Sequence, residues 1–473
     1  MQAPILVWFR RDLRLRDNPA LFEAAASGRP VLPVYVWSPE DEGAWAPGGA
    51  TKAWLGRSLL SLEASLRKRG SRLVVRRGSP REVLAELIRE TGAKTVHWNR
   101  LYDPATVERD RKLKLALESD GIEVKSFNGA LLYEPWEAKT GSGRPYQVFT
   151  PFWKAVRSVA TPSPALGMPK TWEAPSSSPA SLEIVELGLS PRLGWDRGFW
   201  ERFEPGEEGA RRALETFGRE AGDHYHELRD LPSRHGTSRL SPHLHFGEIS
   251  PRQAWDFFRD SEGEGWETFR KEFGWREFAH HVLFHFPESA ERALRPEYRD
   301  FPWAGDPVAL EAWRRGRTGY PVVDAGMREL WATGWMHNRV RMVVASFLTK
   351  HLLHSWIEGA RWFWDTLVDA DLANNTLGWQ WAGGCGADAA PYFRVFNPIL
   401  QGEKFDPNGE YVRRWVPELV RLPNELLHRP FEARAVDLAT CGIELGRTYP
   451  RPVVDHAFGR QRALAAFEKF RKR

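Results

Sequence analysis

Short hydrophobic runs alternate with amphipathic stretches in residues 1–131 of this chain. The runs are ILVWF at 5–9, VLPVYVW at 31–37, RLVVR at 72–76, KTVHW at 94–98 and IEVKSF at 122–127. Runs of this length, rich in β-branched and aromatic residues, are typical of buried strands. Because helical stretches separate them, the pattern predicts an α/β domain with a doubly wound, Rossmann-like parallel sheet.

Local start and stop signals support these helices. Asn18-Pro19 and Ser79-Pro80 each combine a capping residue with a proline suited to the first turn, and Gly92 ends the second of these helices. The glycine-rich dinucleotide fingerprint does not follow the first run, so any ligand of this sheet is held in another way.

The pattern changes after this region. Residues 132–206 include TPSPALGMPKTWEAPSSSPA, which is rich in proline and serine and lacks periodicity, and we predict a linker. From 207 to 473, apolar residues recur every three or four positions, including one long stretch from Asn338 to Leu367. This spacing predicts an all-α second domain.

Composition narrows the class of protein. The chain is 42% hydrophobic and 27% charged, as expected of a folded protein. Its two cysteines, Cys385 and Cys441, provide neither a disulfide framework nor a zinc cluster and favour a reducing, cytoplasmic compartment. We find no apolar run of about 18 residues and expect no membrane span.

Charge and tryptophan content point weakly to flat or anionic partners. The net charge of +5 is a slight indication of a polyanionic ligand. The 23 tryptophans favour stacking on flat ligands, and tryptophan-rich core packing is the alternative explanation.

One helical stretch places unlike side chains on a single face. In EFGWREF, Glu272, Trp275 and Arg276 stand at i, i+3 and i+4. A solvated face would not favour tryptophan, and a core face would not favour the charges. A polar cleft with an aromatic wall and an ion pair beside a half-buried tryptophan explain this stretch equally well.

MHNRVRM repeats this arrangement. Asn338, Arg341 and Met342 share a face, and Arg339 points to a neighbouring one. Arginine contacts phosphates or stacks on bases, and asparagine reads base edges. Taken alone, an ordinary structural role explains this stretch at least as well. Upstream, the hydroxyls of GTSRLS at 236–241 suit a phosphate at a helix start, although ordinary helix capping explains them at least as well.

DADLANNTLGWQW, at 369–381, is the most informative stretch. It combines Asp369, Asp371, two asparagines and two tryptophans. No histidine or cysteine accompanies the acids, which disfavours zinc, and nothing else in the stretch supports a magnesium site, so we assign no metal. Hydrogen-bond donors and acceptors beside indoles suit a flat heterocycle, and flavin fits this description. Motifs of hydrolases and nucleotide-binding P-loops are missing from the sequence.

Taken together, the chain resembles the photolyase/cryptochrome flavoproteins. WFRRDLRLRDNPAL, TSRLSPHLHFGEISP, WREF, TGYPVVDAGMRELWATGWMHNRVRM and DADLANNTLGWQWAGGCGADAAPYFRVFNPILQGEKFD are similar to the signature blocks of that family, in the expected order. The resemblance implies an antenna-binding α/β domain, a linker, and a helical domain that binds U-shaped FAD and DNA. It also implies light-driven cleavage of cyclobutane pyrimidine dimers (CPDs) by an electron from photoexcited, reduced FADH⁻.

The resemblance assigns residues to the cofactor. The positions that match its FAD-binding segments are Tyr225, Thr237, Ser238, Arg239, Leu240, Ser241, Arg341, Asp369, Asp371 and Asn375. Asn375 matches the asparagine beside flavin N5 in repair enzymes, where plant cryptochromes carry aspartate and animal ones cysteine. The tryptophans that match the flavin-photoreducing chain are Trp313, Trp356 and Trp379.

A second set is implied for the damaged DNA. These residues are Arg229, Glu272, Trp275, Asn338, Arg339, Met342, Trp381 and Gln401. Glu272 matches the glutamate that hydrogen-bonds the pyrimidine carbonyls, and Trp275 and Trp381 match the pair that encloses the flipped dimer. Asn338 stands where (6-4) photolyases carry a functional histidine, which disfavours (6-4) repair.

Within the family, WNRLYDP, TGSGRPYQVFTPFWKA and the GRTYPRPVVDH tail are similar to bacterial class III CPD photolyases. This subgroup implies a methenyltetrahydrofolate antenna. The acidic partner of the best-known folate-binding photolyases aligns poorly near Ala105 and Thr106, so 8-hydroxy-5-deazaflavin stays an alternative. We expect a monomer associated with the bacterial nucleoid. The alternative function is a cryptochrome-type blue-light receptor without repair activity, although the extended tail common in cryptochromes is not seen.

Overall fold

The computed structural model describes residues 2–159, 161–392 and 394–472. Within them, five parallel strands form one sheet in the order β3-β2-β1-β4-β5. The strands are β1 (Ile5–Phe9), β2 (Val31–Trp37), β3 (Val74–Arg77), β4 (Thr95–Asn99) and β5 (Glu123–Phe127). The doubly wound parallel sheet predicted from the sequence is therefore confirmed.

Four helices cover this sheet. They are α1 (Pro19–Ala26), α2 (Gly49–Arg67), α3 (Pro80–Thr91) and α4 (Pro104–Ser119). The Asn18 side chain accepts a hydrogen bond of 3.1 Å from the Leu21 amide, so it caps α1 as its sequence predicts. Gly92 ends α3 with a φ of 69°, a conformation that glycine adopts without strain.

The segment from 132 to 206 contains α5 (Phe149–Val159) and α6 (Arg197–Trp200). Its residues contribute both to the core of the sheet domain and to a core of the helical region. Leu132 and Phe152 lie in a core of the helical region, whereas Ile184 lies in the core beneath the sheet. The domain boundaries at 131/132 and 206/207 stay predictions.

The rest of the chain is helical, as predicted. Its helices are α7 (Glu207–Glu220), α8 (Tyr225–Leu228), α9 (Ser241–His245), α10 (Pro251–Phe257), α11 (Glu264–His285), α12 (Pro307–Arg314), α13 (Pro321–Thr333), α14 (Asn338–Ser346), α15 (Trp356–Thr366), α16 (Leu372–Gly383), α17 (Pro398–Phe405), α18 (Glu410–Trp415), α19 (Asn424–Leu427), α20 (Ala435–Thr440) and α21 (His456–Arg471). Ser250 and Gln253 form a reciprocal capping box at the start of α10.

The long periodic stretch from Asn338 to Leu367 is divided in the structure. After α14, residues Phe347–His351 form a π-helical turn, and Leu353 adopts a left-handed φ of 55° before α15 begins. Both Phe347 and Leu353 are buried, so tertiary packing maintains the apolar spacing while the backbone changes direction.

Buried polar contacts join the sheet domain to the helical region. Arg14 donates to the Gly247 carbonyl at 2.9 Å and to the Gly129 carbonyl at 2.7 Å. Trp54 Nε1 donates to Glu248 at 3.0 Å. These contacts satisfy polar groups that burial would otherwise leave unpaired, and they hold the two parts in one arrangement.

Within residues 2–159, 161–392 and 394–472, no helix is long and apolar enough to cross a membrane. The same part of the chain has no group of three or more histidines, cysteines or acids positioned to hold a metal ion.

Candidate FAD and DNA site

A cavity of about 400 Å³ opens between the end of α8 and helices α11, α14 and α16. Ten residues that the sequence predicts for the site line it: Arg229, Glu272, Trp275, Asn338, Arg341, Met342, Asp369, Asn375, Trp379 and Trp381. These residues come from segments far apart in the sequence. The fold therefore brings half of the predicted cofactor and lesion residues, together with Trp379, around one cavity.

Helix α16 forms the floor of the cavity. Its N-cap, Asp371, accepts a 2.8 Å hydrogen bond from the Asn374 amide and fixes the helix start. One turn on, Asn375 donates its side-chain nitrogen to the Ala360 carbonyl at 3.0 Å. This bond leaves the amide oxygen of Asn375 available as an acceptor at the cavity wall.

An ion pair lies beside this asparagine. Arg341 Nη2 donates to Asp369 Oδ2 at 2.8 Å, and Arg341 Nε donates to the Met336 carbonyl at 2.8 Å. The second carboxylate oxygen, Asp369 Oδ1, is buried and has no hydrogen-bond partner among the described residues. Because a buried acceptor without a donor is unfavourable, this atom fits a ligand that brings an N–H group. A flavin ring carries such a group.

Asp371 is held in its ionised form. Burial alone would raise the pKa of this carboxyl, but His280 at 3.5 Å and His245 at 4.0 Å lower it well below its usual range. Asp371 therefore remains a hydrogen-bond acceptor over the whole physiological pH range.

Glu272 and Arg229 form a second pair on the opposite wall. Arg229 Nη1 donates to Glu272 Oε1 at 2.6 Å. Burial raises the pKa of the Glu272 carboxyl, and Arg229 opposes this shift without cancelling it. About 30% of the Glu272 side chain is exposed, and Glu272 lines the cavity.

Two tryptophans flank the opening. The Trp275 ring stacks on Phe149 of α5, with centroids 3.8 Å apart and planes inclined by 9°. Trp381 packs edge-on against Phe396, at 6.3 Å. Since Phe149 covers one face of the Trp275 ring, the opposite face is the one available for stacking on a ligand in the cavity.

The predicted tryptophan chain lies in the core behind α16. The Trp313 and Trp379 rings are 6.1 Å apart, and Phe363 lies 4.9 Å from Trp379. Trp356, the first residue of α15, is buried in the same core. Trp379 also lines the cavity, and the packed rings of this core therefore connect the cavity with Trp313.

The remaining FAD-binding candidates lie in and around the segment before α9. Thr237, Ser238 and Arg239 line a separate cavity of about 240 Å³ that Arg202 and Arg212 also line. Hydroxyls and guanidinium groups suit a diphosphate. Tyr225 and Leu240 are buried in the adjoining core, and Ser241 Oγ accepts a bond of 3.4 Å from Trp335 Nε1.

The outer DNA-binding candidates lie close to the cavity. Arg339 pairs with Asp230 through two hydrogen bonds, of 3.2 and 2.7 Å, and its guanidinium lies 4.4 Å from the Phe405 ring centroid. Gln401 is on the same helix as Phe405, α17, and is partly exposed. Neither Arg339 nor Gln401 lines the 400 Å³ cavity.

Several contacting residues were missed by sequence reasoning. Phe149 supports Trp275, Asp230 holds Arg339, and Gly378 lines the cavity on α16. No local signal identified Phe149, which lies in the predicted linker. Gly378 could have been identified, because a glycine in the middle of a helix needs a special reason.

Two further cavities lie near the sheet domain and share Glu42. One is lined by Trp8, Trp37, Arg10 and Arg11, near the carboxyl ends of β1 and β2. The other, of about 390 Å³, includes Ala105, Thr106, Asp103, Trp45 and Arg292 among its lining residues. Glu42 and Asp103 are therefore acids that line the same cavity as Ala105 and Thr106, near which the acidic partner of folate-binding photolyases aligns poorly.

Comparison with known proteins agrees with these observations. Residues 5–170 match the family description "DNA photolyase", and residues 269–469 match "FAD binding domain of DNA photolyase". A deoxyribodipyrimidine photo-lyase of Agrobacterium fabrum is 50% identical over 99% of this chain and 98% of its own length. Cryptochrome-2 of Arabidopsis thaliana is 42% identical over 100% of this chain and 80% of its own length.

A solved structure is also similar. The crystal structure of a bacterial class III photolyase from Agrobacterium tumefaciens has a TM-score of 0.96 and 49% identity, covering 100% of this chain and 98% of that one. The similarity extends over both the sheet domain and the helical region.

Proposed function

The chain belongs to the photolyase/cryptochrome family and carries out light-driven DNA repair, and we propose that its substrate is the cyclobutane pyrimidine dimer. The observation that carries this proposal is the 400 Å³ cavity, which brings flavin-type acceptors and two flanking tryptophans together. The dimer would leave the base stack and enter this cavity, because chemistry on a base requires its extrusion.

FAD fits the described residues. Asp369 Oδ1 offers a buried acceptor, Asn375 offers an amide oxygen, and Thr237, Ser238 and Arg239 offer groups suited to phosphates. When bound, reduced and excited by light, FAD supplies the electron that splits the dimer, and that electron then returns to FAD.

The protein's own residues would bind and orient the damaged DNA. Arg229 and Arg339 would contact phosphates, which makes the affinity dependent on salt. Trp275 and Trp381 would replace the base stacking that the dimer loses on extrusion. Glu272 would hydrogen-bond a pyrimidine carbonyl and stabilise the charge that develops there. Trp379, Trp356 and Trp313 would carry electrons to the flavin when it must be reduced.

The direct test uses FAD-loaded protein and UV-irradiated oligothymidine. After the flavin has been reduced, we expect the ultraviolet absorbance of intact thymine to return in blue light and not in the dark. Glu208→Gln, on the exposed face of α7, serves as a control variant that repairs normally. Photoreduction of the flavin without repair would contradict the proposal and favour a cryptochrome-type light receptor, the family branch with a 42% identical member.

For the second chromophore, we propose methenyltetrahydrofolate in the cleft around Glu42. Asp103 and Glu42 supply acceptors for the donor groups of a pterin, and Arg292 suits the acidic tail of a folate. The absorption spectrum of extracted chromophores distinguishes folate from deazaflavin. Glu42→Gln should lose the second chromophore and retain FAD; equal retention of both in this variant would contradict the placement.

Because DNA is the substrate, we propose that the protein works at the bacterial nucleoid. We also propose that it acts as a monomer. Light scattering of the FAD-loaded protein, with and without DNA, tests the oligomeric state.

A further inference from the structure

Two acid–arginine pairs stand side by side near the mouth of the cavity. Arg229 pairs with Glu272 at 2.6 Å, and the next residue in the chain, Asp230, pairs with Arg339 at 2.7 Å. Arg229 is the residue that ends α8, and its side chain is 24% exposed. Its guanidinium can therefore turn toward an incoming strand without unfolding a helix.

Arg229 and Glu272 have unequal access to other charged groups. Arg229 can exchange the carboxylate for a DNA phosphate and remain paired. The other cations that line this cavity are already engaged, Arg276 with Glu277 and Arg341 with Asp369. Glu272 therefore has no free cation to replace Arg229 once the extruded bases fill the cavity. A carboxylate left ionised in a water-excluded site without a cation is strongly unfavourable, and such a group takes up a proton instead.

A hydrogen bond from Glu272 to the dimer also requires that the carboxyl group be protonated. A pyrimidine carbonyl is an acceptor, and an ionised carboxylate is also only an acceptor. The two would repel each other at contact distance. A protonated Glu272 has one O–H donor and can bond the carbonyl.

From this geometry, we propose that Arg229 leaves Glu272 for a DNA phosphate when a dimer enters the cavity and that Glu272 then takes up one proton from solvent. The guanidinium keeps its charge throughout. One phosphate charge is paired, one carboxylate charge is neutralised by the proton, and no bond to carbon changes. This inference rests on the proposed function, since it requires an extruded dimer.

The exchange would also help to select damaged DNA. Undamaged DNA stays stacked and does not fill the cavity, so it provides no carbonyl for Glu272 and leaves the Arg229–Glu272 pair intact. Proton uptake would then accompany binding of the dimer and not binding of intact DNA.

Other titratable groups lie near Glu272. Tyr225 and Asp230 come from the α8 segment, and Arg276 comes from α11 itself. The paired Arg341 and Asp369 line the same cavity. The Asp230 charge works in the same direction as burial and raises the pKa of Glu272, whereas Arg229 lowers it. Loss of Arg229 to a phosphate therefore removes the influence that favours ionisation.

Calorimetry in the dark tests the proposal. FAD-loaded protein is titrated with an oligothymidine carrying one dimer and with the same oligothymidine undamaged, in buffers of different ionisation enthalpy. The dependence of the measured heat on the buffer gives the number of protons taken up. We expect up to one proton with the dimer and close to none with intact DNA. Dimer affinity should fall by up to tenfold per pH unit where uptake is complete.

Glu272→Gln is the decisive variant, because its amide donates a hydrogen bond without needing a proton. We expect it to bind the dimer with no proton uptake, and to bind more tightly than the natural protein at high pH. Glu208→Gln, on the exposed face of α7, is the control for surface charge and should keep the uptake.

Either of two results would overturn the proposal. One is the absence of proton uptake by the natural protein from about pH 5 to about pH 9. The other is unchanged uptake in Glu272→Gln. Failure of the repair function is recognised separately: the protein would then neither prefer the dimer nor repair it. Preference and repair without proton uptake would refute the exchange alone.

Discussion

At the scale of single residues, one hydrogen bond decides what Asn375 presents to its ligand. Its amide nitrogen is bound to the Ala360 carbonyl, so its oxygen is the free group. Reduced flavin carries a hydrogen on N5, and an amide oxygen is a suitable acceptor for it. The Ala360 carbonyl of the neighbouring helix α15 therefore favours an amide at this position, in addition to the proposed contact with flavin N5.

We expect Asn375→Asp to destabilise the reduced flavin, because an ionised carboxylate cannot donate to Ala360 and would turn away from it. Dark re-oxidation should be about tenfold faster, equivalent to about 1.4 kcal/mol. Absorbance after photoreduction measures this rate. Asn424→Asp, at an exposed position of α19, is the matched control, and unchanged rates in Asn375→Asp would refute the role.

Trp275 combines a structural contact with a proposed binding face. Trp275→Ala should weaken binding to dimer-containing DNA by about 1–3 kcal/mol, because base–aromatic stacking contributes this much per base. Binding to undamaged DNA should change far less. Fluorescence anisotropy of labelled oligonucleotides measures both, and equal losses on both would remove the stacking assignment.

At the scale of an element, α16 shows how a helix makes room for a ligand. Gly378 lies in its middle, and a Cβ atom added there would meet nothing within 4 Å. Glycine costs a helix about 1 kcal/mol relative to alanine, so packing within the protein does not explain it. The space beside Gly378 belongs to the cavity.

Gly378→Ala should raise the thermal stability of the ligand-free protein by about 0.5–1 kcal/mol while weakening FAD retention or dimer binding. Calorimetry and the flavin absorbance of purified protein measure the two effects. Gly359→Ala provides the contrast, because its Cβ would lie 2.0 Å from the Trp379 ring and should destabilise the fold by about 1–3 kcal/mol. If Gly378→Ala is more stable and still binds FAD and the dimer as well as the natural protein does, Gly378 does not make room for a ligand.

Sequence patterns predicted elements better than they predicted contacts. The five strands followed from apolar runs, and the face shared by Glu272 and Trp275 followed from helical spacing. The pairing of Glu272 with Arg229 depends on a four-residue helix that has no periodicity to detect. Leu353, where the backbone changes direction, is neither glycine nor proline. It is buried, and its carbonyl accepts a hydrogen bond of 3.1 Å from the distant Ala304 amide, a contact that local sequence does not indicate.

At the scale of the molecule, charge networks connect the cofactor site to overall stability. Asp371 caps α16 and lies near histidines of α9 and α11. Because its pKa in the folded protein is below that of the unfolded chain, its stabilising effect is present above about pH 4 and is lost as the pH falls through the lowered value.

Asp371→Asn should therefore destabilise the protein near neutral pH by about 2 kcal/mol, and the difference from the natural protein should narrow below about pH 4. Thermal unfolding followed by circular dichroism over a pH series measures this difference. A gap that stays constant into strong acid would show that the carboxylate charge does not contribute.

The stack between Phe149 and Trp275 has a consequence for modular engineering. One wall of the cavity is supported by Phe149, a residue of the predicted linker from 132 to 206. A catalytic fragment cut at residue 207 would keep the predicted flavin and lesion residues and still uncover the back of Trp275. The smallest transferable repair unit therefore includes α5, and a graft of the helical region alone would need a substitute for that ring.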